Sequence, residues 1–350
     1  MIERKLKNSL KLLIFPLAVN PKASILILCL WSLCLLATFA VILGFGVRQK
    51  LSLVNRLDER DKLHFIAEAG IKKSITELKE EAEKTYDALN DSWSNNISAF
   101  KDIDIGDGKF SISYDYVNEQ TGLTEPRYGL IDEESKININ KADQPILERL
   151  FRLLDFYETQ AQDLAAAIID WRDSDSELST PLGSAEDPYY RNLQYPYEAK
   201  DADLEVLEEV LLVKGMDRDI FEKIKNYITI FGSGKINVNT ASKTVLLALG
   251  LSQDLVEKIV SFRLGEDEII GTADDNVFNT HSNIVPRLSQ SFHLGDSEIA
   301  QLSVIVDRYL VTNSNNFMAR CISKLNNRRR TTEVISVINR SGKILYWQES

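Results

Sequence analysis

The stretch that decides the fold is SILILCLWSLCLLATFAVILGFG, residues 24–46, which carries no charge along its whole length. A helix rises about 1.5 Å per residue and needs roughly 20 apolar residues to cross a bilayer, so this run can span a membrane. Basic residues stay on the cytoplasmic side, so residues 1–23 are expected to be a cytoplasmic leader and the remainder to lie across the membrane. The basic residues of the leader, opposed only by Glu3, are Arg4, Lys5, Lys7, Lys11 and Lys22.

A cleaved secretory signal peptide is the main alternative to a retained anchor. The apolar part of a signal peptide is only about 7–15 residues long, which is shorter than the run here. The sequence therefore favours a transmembrane helix over residues 24–46 that stays in the lipid bilayer.

The charge of the part beyond the membrane argues against some classes of partner. The chain has 41 basic and 52 acidic residues, and removing residues 1–47 leaves 36 basic and 51 acidic. A net charge near −15 opposes binding to nucleic acid or to an anionic membrane surface. Cys29 and Cys34 lie inside the apolar run and Cys321 is alone outside it, so no disulfide is expected within the outer part.

Helical periodicity continues after the apolar run and predicts that the N-terminal helix extends over residues 47–100. A continuous helix would lay an apolar stripe on a folded domain. The alternative is a membrane helix joined flexibly to a separate amphipathic helix near residues 48–56. The stripe, with spacings of three and four, consists of Leu63, Ile66, Gly70, Ile71, Ile75, Leu78 and Ala82.

Strands are predicted early and late in the outer part, over residues 105–135 and 311–350. Between residues 110 and 116 apolar and polar residues alternate, which is the period of a half-buried strand. A turn over residues 118–122 and a return strand over Arg127–Ile131 follow. The late strands are predicted over Phe317–Leu325 and, as a hairpin, over Thr332–Asn339 and Lys343–Trp347.

An internal repeat marks the region between these strands. KININKA at residues 136–142 recurs as KINVNTA at residues 235–241, and each copy leads into two short helices. The polar Asn and Thr side chains are expected to cap the following helices by accepting backbone N–H groups. Residues 136–310 are therefore predicted to form a mostly α-helical domain, with repeats starting near residues 136 and 235.

A linked set of motifs resembles the minor pseudopilin K family of type II secretion systems. The first motifs are a basic residue followed by ASILILCLW, then LHFIAEAGIKK and SKININKA. Further along come DWRDSDSELSTPLGSAEDPYYR, LEEVLLVKGM, GSGKINVNTAS and, at the end, ILYWQE. Each motif is weak alone, whereas their order is fairly specific and covers the chain from about residue 22 to the C-terminus.

The resemblance implies an α+β fold, in which a pilin-like core has a long N-terminal helix and an antiparallel sheet. A large α-helical domain of helix-hairpin-helix or SAM-like type is inserted into that core. The implied function is structural and not enzymatic: the subunit lies at the tip of the periplasmic pseudopilus and helps to initiate its assembly for protein export. The implied partners are other minor pseudopilins, of the I and J types, and prepilin peptidase. The implied location is the inner membrane, with the C-terminal domain in the periplasm.

The resemblance also places a processing site between Ala23 and Ser24. Family members normally carry glycine at the position of Ala23, so this chain departs from the pattern there. Cleavage at this bond would make Leu28 the fifth mature residue, where most pilins carry a glutamate. A carboxylate in lipid needs a positive partner such as a neighbour's terminal amine, whereas Leu28 needs none. This agrees with a position at the tip.

Two acidic loops are candidate Ca²⁺ sites, and the resemblance implies calcium in the helical domain. Calcium takes six to eight oxygen ligands, and glycine permits the turns that bring them together. The alternative is that both loops are solvated acidic segments. The candidate ligands are Asp173, Asp175 and Glu186 in the first loop and, slightly preferred, Asp267, Asp274 and Asp275 in the second.

A membrane-anchored DNA receptor of the competence type is the second functional hypothesis, because the repeats resemble helix-hairpin-helix elements. Such hairpins present backbone N–H groups of glycine-rich turns to phosphate. The turn over residues 250–254 has one glycine and an acidic residue, and the net charge is negative, so nucleic acid is not expected as a partner. Neither a metal-spaced histidine pair nor a nucleophile signature is present, and no catalytic residue is predicted.

Overall fold

The N-terminal helix α1 spans Pro21–Glu80. The structure is a computed structural model that describes residues 21–350 except Ala82, Gln120 and Asn327, with the backbone alone for residues 21–24. Most of the predicted cytoplasmic leader, including Arg4, Lys5, Lys7 and Lys11, lies outside the described residues. The chain divides after Asp61 into two compact units, and the second unit extends from Lys62 to Ser350. The backbone is helical through residues 48–56, where a joint was the alternative.

The end of α1 corrects the prediction of a helix over residues 47–100. The helix stops at Glu80, because the residues that follow it make contacts with parts of the chain outside the helix. The Glu81 side chain accepts hydrogen bonds from the backbone N–H of Ser92 at 3.1 Å and from its hydroxyl at 2.9 Å. Trp93, which follows at once, is fully buried. Burial of this side chain outweighs continued helical propensity.

The second unit begins with the end of α1 and continues with short elements, the helical region and four late strands. The elements up to residue 138 are α2 (Ile97–Phe100), β1 (Ile103–Ile105), β2 (Gly108–Ile112), β3 (Tyr114–Val117), β4 (Thr124–Arg127), β5 (Ile131–Asp132) and β6 (Ile137–Asn138). The helical region contains α3 (Gln144–Leu153), α4 (Glu158–Arg172), α5 (Asp187–Tyr190), α6 (Arg218–Ile224), β7 (Ile228–Thr229), β8 (Ile236–Asn237), α7 (Lys243–Ala248), α8 (Gln253–Arg263), α9 (Ile284–Phe292) and α10 (Asp296–Tyr309). The final elements are β9 (Leu310–Val311), β10 (Asn316–Leu325), β11 (Thr331–Asn339) and β12 (Ile344–Glu349).

The main sheet is antiparallel and has the strand order β1-β2-β10-β11-β12, with β5 also paired to β10. The strand predicted over Phe317–Leu325 is confirmed as β10, and the late hairpin is confirmed as β11 and β12. The predicted apolar stripe packs on this sheet from Leu63 to Leu78, and its last predicted member, Ala82, lies outside the described residues. The core between helix and sheet contains Leu63, Ile66, Ala67, Ile71, Leu78, Trp93, Phe110, Ile112, Phe317, Ala319, Cys321, Val334 and Ile338.

The early strands differ from the prediction in one respect. The alternating run over residues 110–116 is divided at Ser113, whose N–H donates to the carbonyl oxygen of Arg320. Strand β2 stays in the main sheet, whereas β3 pairs with β4 in a separate hairpin. The Tyr114 hydroxyl is buried and donates to the carbonyl oxygen of Ser94 at 3.2 Å, which holds β3 away from the sheet. The return strand is therefore Thr124–Arg127 and not Arg127–Ile131.

The helical region has its own apolar core, and the two repeat copies have equivalent structures within it. Strand β6 of the first copy pairs in parallel with β7, and β8 of the second pairs in parallel with β9. Each copy then continues into two helices, α3 and α4 or α7 and α8. In each copy an arginine at the end of the second helix, Arg172 or Arg263, donates to carbonyl oxygens of its own repeat.

The repeat asparagines do not cap the helices as predicted. The side chain of Asn140 bonds both backbone groups of Leu204, and that of Asn239 bonds both backbone groups of Phe278. Helix α7 is capped instead by Ser242, which accepts from the N–H of Val245 at 3.2 Å. In each asparagine the side-chain oxygen accepts a hydrogen bond and the side-chain NH2 group donates one. These side chains therefore hold loops that are distant in sequence against the repeats.

A buried carboxyl group links the repeats to the main sheet. Asp132 is 2% exposed and accepts hydrogen bonds from the Asn237 amide, the Thr240 hydroxyl and the Ser314 hydroxyl. Burial, followed by the negative charge of Glu134, raises the pKa of Asp132 to about 7. The polar donors come from β8, the loop after it and the segment before β10, so one side chain orders three parts of the fold.

Candidate functional sites: an apolar helix and an acidic loop

The apolar side chains of α1 from Ile25 to Phe45 are exposed. Leu28 is 71% exposed and Trp31 is 73% exposed. Exposed apolar surface of this extent is stable only against lipid or against other apolar helices. Within the described residues, one helix is long and apolar enough to cross a membrane, and this is that helix.

The polar side chains within this apolar segment are satisfied locally. The hydroxyl of Ser32 donates to the carbonyl oxygen of Cys29, and that of Thr38 donates to the carbonyl oxygen of Leu35, both at 2.9 Å. Such bonds leave no unsatisfied hydroxyl for the hydrocarbon core. Ala23 and Ser24, at the predicted processing site, are in the helical backbone, and their side chains lie outside the described residues.

The first acidic loop brings its three predicted ligands together. One carboxylate oxygen each from Asp173, Asp175 and Glu186 lies within 4.8 Å of the others. Asp173 follows the last residue of α4, and Glu186 precedes the first residue of α5, so two helix ends fix their positions. We call these three residues the acidic cluster.

Two oxygens of the acidic cluster are buried without a hydrogen-bond partner among the described residues, Oδ1 of Asp173 and Oε1 of Glu186. Burial, and then the charges of Asp170, Asp173, Asp201 and Asp175, raise the pKa of Glu186 to about 7. The pKa of Asp173 is also raised, first by burial. Buried carboxylates without donors are costly unless a cation lies between them, so the oxygen donors, their spacing and their burial fit Ca²⁺.

The second loop uses its carboxylates to hold its own backbone. Asp274 accepts from the N–H groups of Glu266 and Asp267 and from the Thr272 hydroxyl, and these bonds, the hydroxyl first, lower its pKa to about 2. Asp275 accepts from the Gly271 N–H at 2.7 Å. Asp267 likewise accepts from the N–H of Ile269. These acceptors are already satisfied, so the geometry favours the first loop for a metal.

Residues outside the predicted set of ligands support the first loop. Asp170 is fully buried and accepts from the N–H of Ser179 at 3.0 Å. The ammonium of Lys214 donates to the carbonyl oxygens of Leu182 at 2.8 Å and of Ser184 at 2.9 Å. The only sequence signal for Lys214 was its place in LEEVLLVKGM, whose apolar periodicity does not reveal a contact with a loop about 30 residues earlier.

Comparison with known proteins agrees with this architecture. Residues 123–233 match the family model described as type II secretion system, protein K. The chain is 24% identical over 266 residues to type II secretion system protein K of Aeromonas hydrophila, covering 73% of this chain and 74% of that protein. It is 26% identical over 115 residues to the protein of the same name from Pectobacterium carotovorum subsp. carotovorum, covering 32% and 34%.

A solved structure, the GspK-GspI-GspJ complex from the enterotoxigenic Escherichia coli type 2 secretion system, contains a chain of the same fold. The TM-score is 0.64 at 18% sequence identity, and the match covers 85% of this chain and 99% of that chain. The long N-terminal helix, the antiparallel sheet and the helical region between its strands define a pilin-like fold, and the exposed apolar helix fits a membrane anchor. The family model and both relatives carry one name, type II secretion system protein K, and this chain is similar to that family.

Proposed function

We propose that this chain is a minor pseudopilin of a type II secretion system. It lies at the tip of a short periplasmic pseudopilus and helps to initiate its assembly, packing its N-terminal helix against minor pseudopilins of the I and J types. The observation that carries this proposal is the exposed apolar surface of α1, with Leu28 at its head. A subunit with leucine at this position has no carboxylate to pair with the terminal amine of a neighbour above it. It is therefore suited to the top of the helix bundle.

The experiment for the tip position substitutes Leu28 in the full chain and measures how much I-type and J-type pseudopilin co-purifies from membranes. Leu28→Ile is the matched control and should leave co-purification unchanged. Leu28→Glu should reduce it, because an unpaired carboxylate is unfavourable within the bilayer, by about 2.5–3.5 kcal/mol at the centre of a membrane helix and by less towards its end. If Leu28→Glu assembles as well as the parent chain or better, a partner amine lies above it and the tip position is refuted.

The proposed location is the inner membrane, with the leader in the cytoplasm and residues 62–350 in the periplasm. The positive leader before an uncharged helix supports this orientation. Prepilin peptidase is the proposed processing enzyme, with Ser24 as the first mature residue. Mass spectrometry of the mature N-terminus tests this step: a chain beginning at Ser24 supports it, and an intact leader contradicts it.

The acidic cluster is the proposed Ca²⁺ site, with Asp173, Asp175 and Glu186 as ligands. Bound calcium would neutralise charges that the loop otherwise buries without partners. The role that follows is structural: the ion would fix the loop between α4 and α5. The second acidic loop, over residues 266–275, is expected to keep its shape without an ion, because its carboxylates accept hydrogen bonds from backbone N–H groups.

A DNA receptor is not favoured. The α7–α8 turn contains Gly250, but its N–H already donates to the carbonyl oxygen of Leu247 at 2.9 Å, and Asp254 follows in the first turn of α8. A salt titration of DNA binding by the full chain in detergent tests the point. Retention of DNA that falls steeply with salt would support the receptor, and no retention at low salt removes it.

A further inference from the structure

A concentrated positive surface lies on this otherwise acidic unit. Lys324, near the end of β10, and Arg328–Arg330, just before β11, are all exposed. We call these four residues the basic turn. Nothing in the pseudopilus role described above uses them.

The basic turn is located at the end of the sheet where the chain enters the second unit. The N–H of Asn326 donates to the carbonyl oxygen of Asp107 at 3.0 Å, which joins the turn to the β1–β2 turn. The ammonium of Lys62, the first residue of this unit, lies 3.7 Å from the Asp107 carboxylate. Lys324 is directly opposite Lys109 in the neighbouring strand β2.

The opposite end of the sheet carries the connection to the helical domain. The β11–β12 turn there approaches the later part of α1, because a Cβ on Gly342 would lie 3.1 Å from the Lys79 ammonium. Arg340 of the same turn is ion-paired with Asp87. The basic turn therefore faces away from the helical domain and lies at the end that is connected to the anchor.

Chain length limits how far Lys62 can be from the bilayer. Residues 47–61 separate the apolar run from Lys62, and a helix of that length is about 22 Å long. Apolar side chains lie beside the turn as well: Phe65 is 64% exposed and Ile105 is 39% exposed. Basic and apolar side chains together are typical of surfaces that meet a membrane interface.

Acidic residues at this end are engaged by lysines. Asp102 is 2.6 Å from the Lys109 ammonium, and Asp107 faces Lys62. Asp104 is the third acidic residue of the β1 region. The net charge of the outer part opposes adhesion of the unit as a whole, so attraction to an anionic surface is restricted to the end that carries the basic turn.

We propose that the basic turn binds anionic phospholipid headgroups of the membrane that holds the anchor, so that the second unit rests on the bilayer before assembly. Guanidinium groups form paired hydrogen bonds with phosphate oxygens. Each basic residue near an anionic surface contributes about 1 kcal/mol, which is roughly a fivefold change in the bound population. The inference rests on the membrane anchorage proposed above.

The test uses the full chain in nanodiscs of phosphatidylethanolamine alone or with about one-third phosphatidylglycerol. Hydrogen exchange of the backbone amides over residues 324–331 is measured at low and at high salt. In anionic discs at low salt we expect exchange at least about fivefold slower than in neutral discs, and no difference at 0.5 M salt, where charges are screened beyond roughly 4 Å. The triple variant Arg328→Gln, Arg329→Gln, Arg330→Gln should lose the protection.

A matched variant removes the same charge elsewhere: Arg218→Gln, Lys223→Gln, Lys225→Gln on and after α6 should retain the protection. Equal exchange in both kinds of disc would overturn the inference while leaving the anchorage intact, because incorporation into discs is scored separately. Failure to incorporate would overturn both. Slow exchange in neutral discs that depends on the number of protein copies per disc would also overturn the inference. It would indicate that the basic turn binds an acidic protein surface.

Discussion

Replacing Glu186 by glutamine should stabilise the chain without calcium and should lose most of that advantage when calcium is bound. Without an ion, Glu186 is 5% exposed and its charge is opposed by Asp170, Asp173 and Asp175. Glutamine removes that charge and keeps the shape of the side chain. With calcium, the same change removes one ligand from the acidic cluster. The variant should therefore be more stable than the parent in chelator and should gain less from calcium.

The size of the effect follows from the pKa of Glu186, which is raised from 4.5 to about 7. A carboxyl group whose pKa is higher in the folded state stabilises the fold fully below its unfolded pKa, and this contribution is lost as the pH rises through the folded pKa. At pH 8 the ionised group costs at most about 3 kcal/mol, since one pKa unit is 1.36 kcal/mol. Calcium at about 100 times its Kd would return about 2.7 kcal/mol to the parent.

The assay is thermal unfolding of the full chain in detergent at pH 5 and pH 8, in chelator or in 10 mM calcium. The parent in chelator should lose stability between pH 5 and pH 8, and the variant should lose less. At pH 8 in chelator the variant should melt a few degrees higher, at roughly 2–4 °C per kcal/mol. Asp274→Asn is the comparison: it should destabilise equally with and without calcium, because Asp274 holds backbone N–H groups. A Glu186→Gln variant that melts lower than the parent in chelator would refute the reasoning.

Two further predictions concern the packing of the second unit. Asn239→Ala should lower the free energy of unfolding by about 2–4 kcal/mol in denaturant titration, because both backbone groups of Phe278 lose a buried partner; a loss below 0.5 kcal/mol would contradict this. Gly70→Ala should destabilise because the new Cβ would lie 2.6 Å from Sγ of Cys321, and Cys321→Ala in the same chain should restore part of the loss. Simple additivity of the two changes would argue against this contact.

Local periodicity is sufficient to predict the elements whose buried residues recur at a regular spacing. The stripe from Leu63 to Leu78 and the alternation of β10 were both visible in the sequence, because each presents one face to a single core. The end of α1 was not visible, since it depends on Glu81 and Trp93 meeting partners outside the helix. The division of β2 from β3 depends in the same way on Ser94 accepting from a tyrosine 20 residues away.

In the candidate sites too, some features can be predicted from the sequence and others depend on contacts between distant residues. The apolar run and its charged leader could be recognised directly, because a bilayer imposes a length and a composition. The repeat motif was also recognisable, but the role of its asparagines was not: Asn140 reaches Leu204, 64 residues away. The six acidic candidates were proposed from composition. Only the folded loops distinguish Glu186, with an unpartnered buried oxygen, from Asp274, whose oxygens accept hydrogen bonds.

The most direct measurement is how much I-type and J-type pseudopilin co-purifies from membranes with a full chain that carries Leu36→Arg, a charge in the middle of the apolar helix. Membrane integration of the variant is scored in parallel. Ile344→Arg, on the exposed edge strand β12, is the control. If α1 is both the anchor and the docking surface, Leu36→Arg abolishes co-purification and secretion while Ile344→Arg leaves both intact. Normal assembly and secretion by Leu36→Arg would contradict the account.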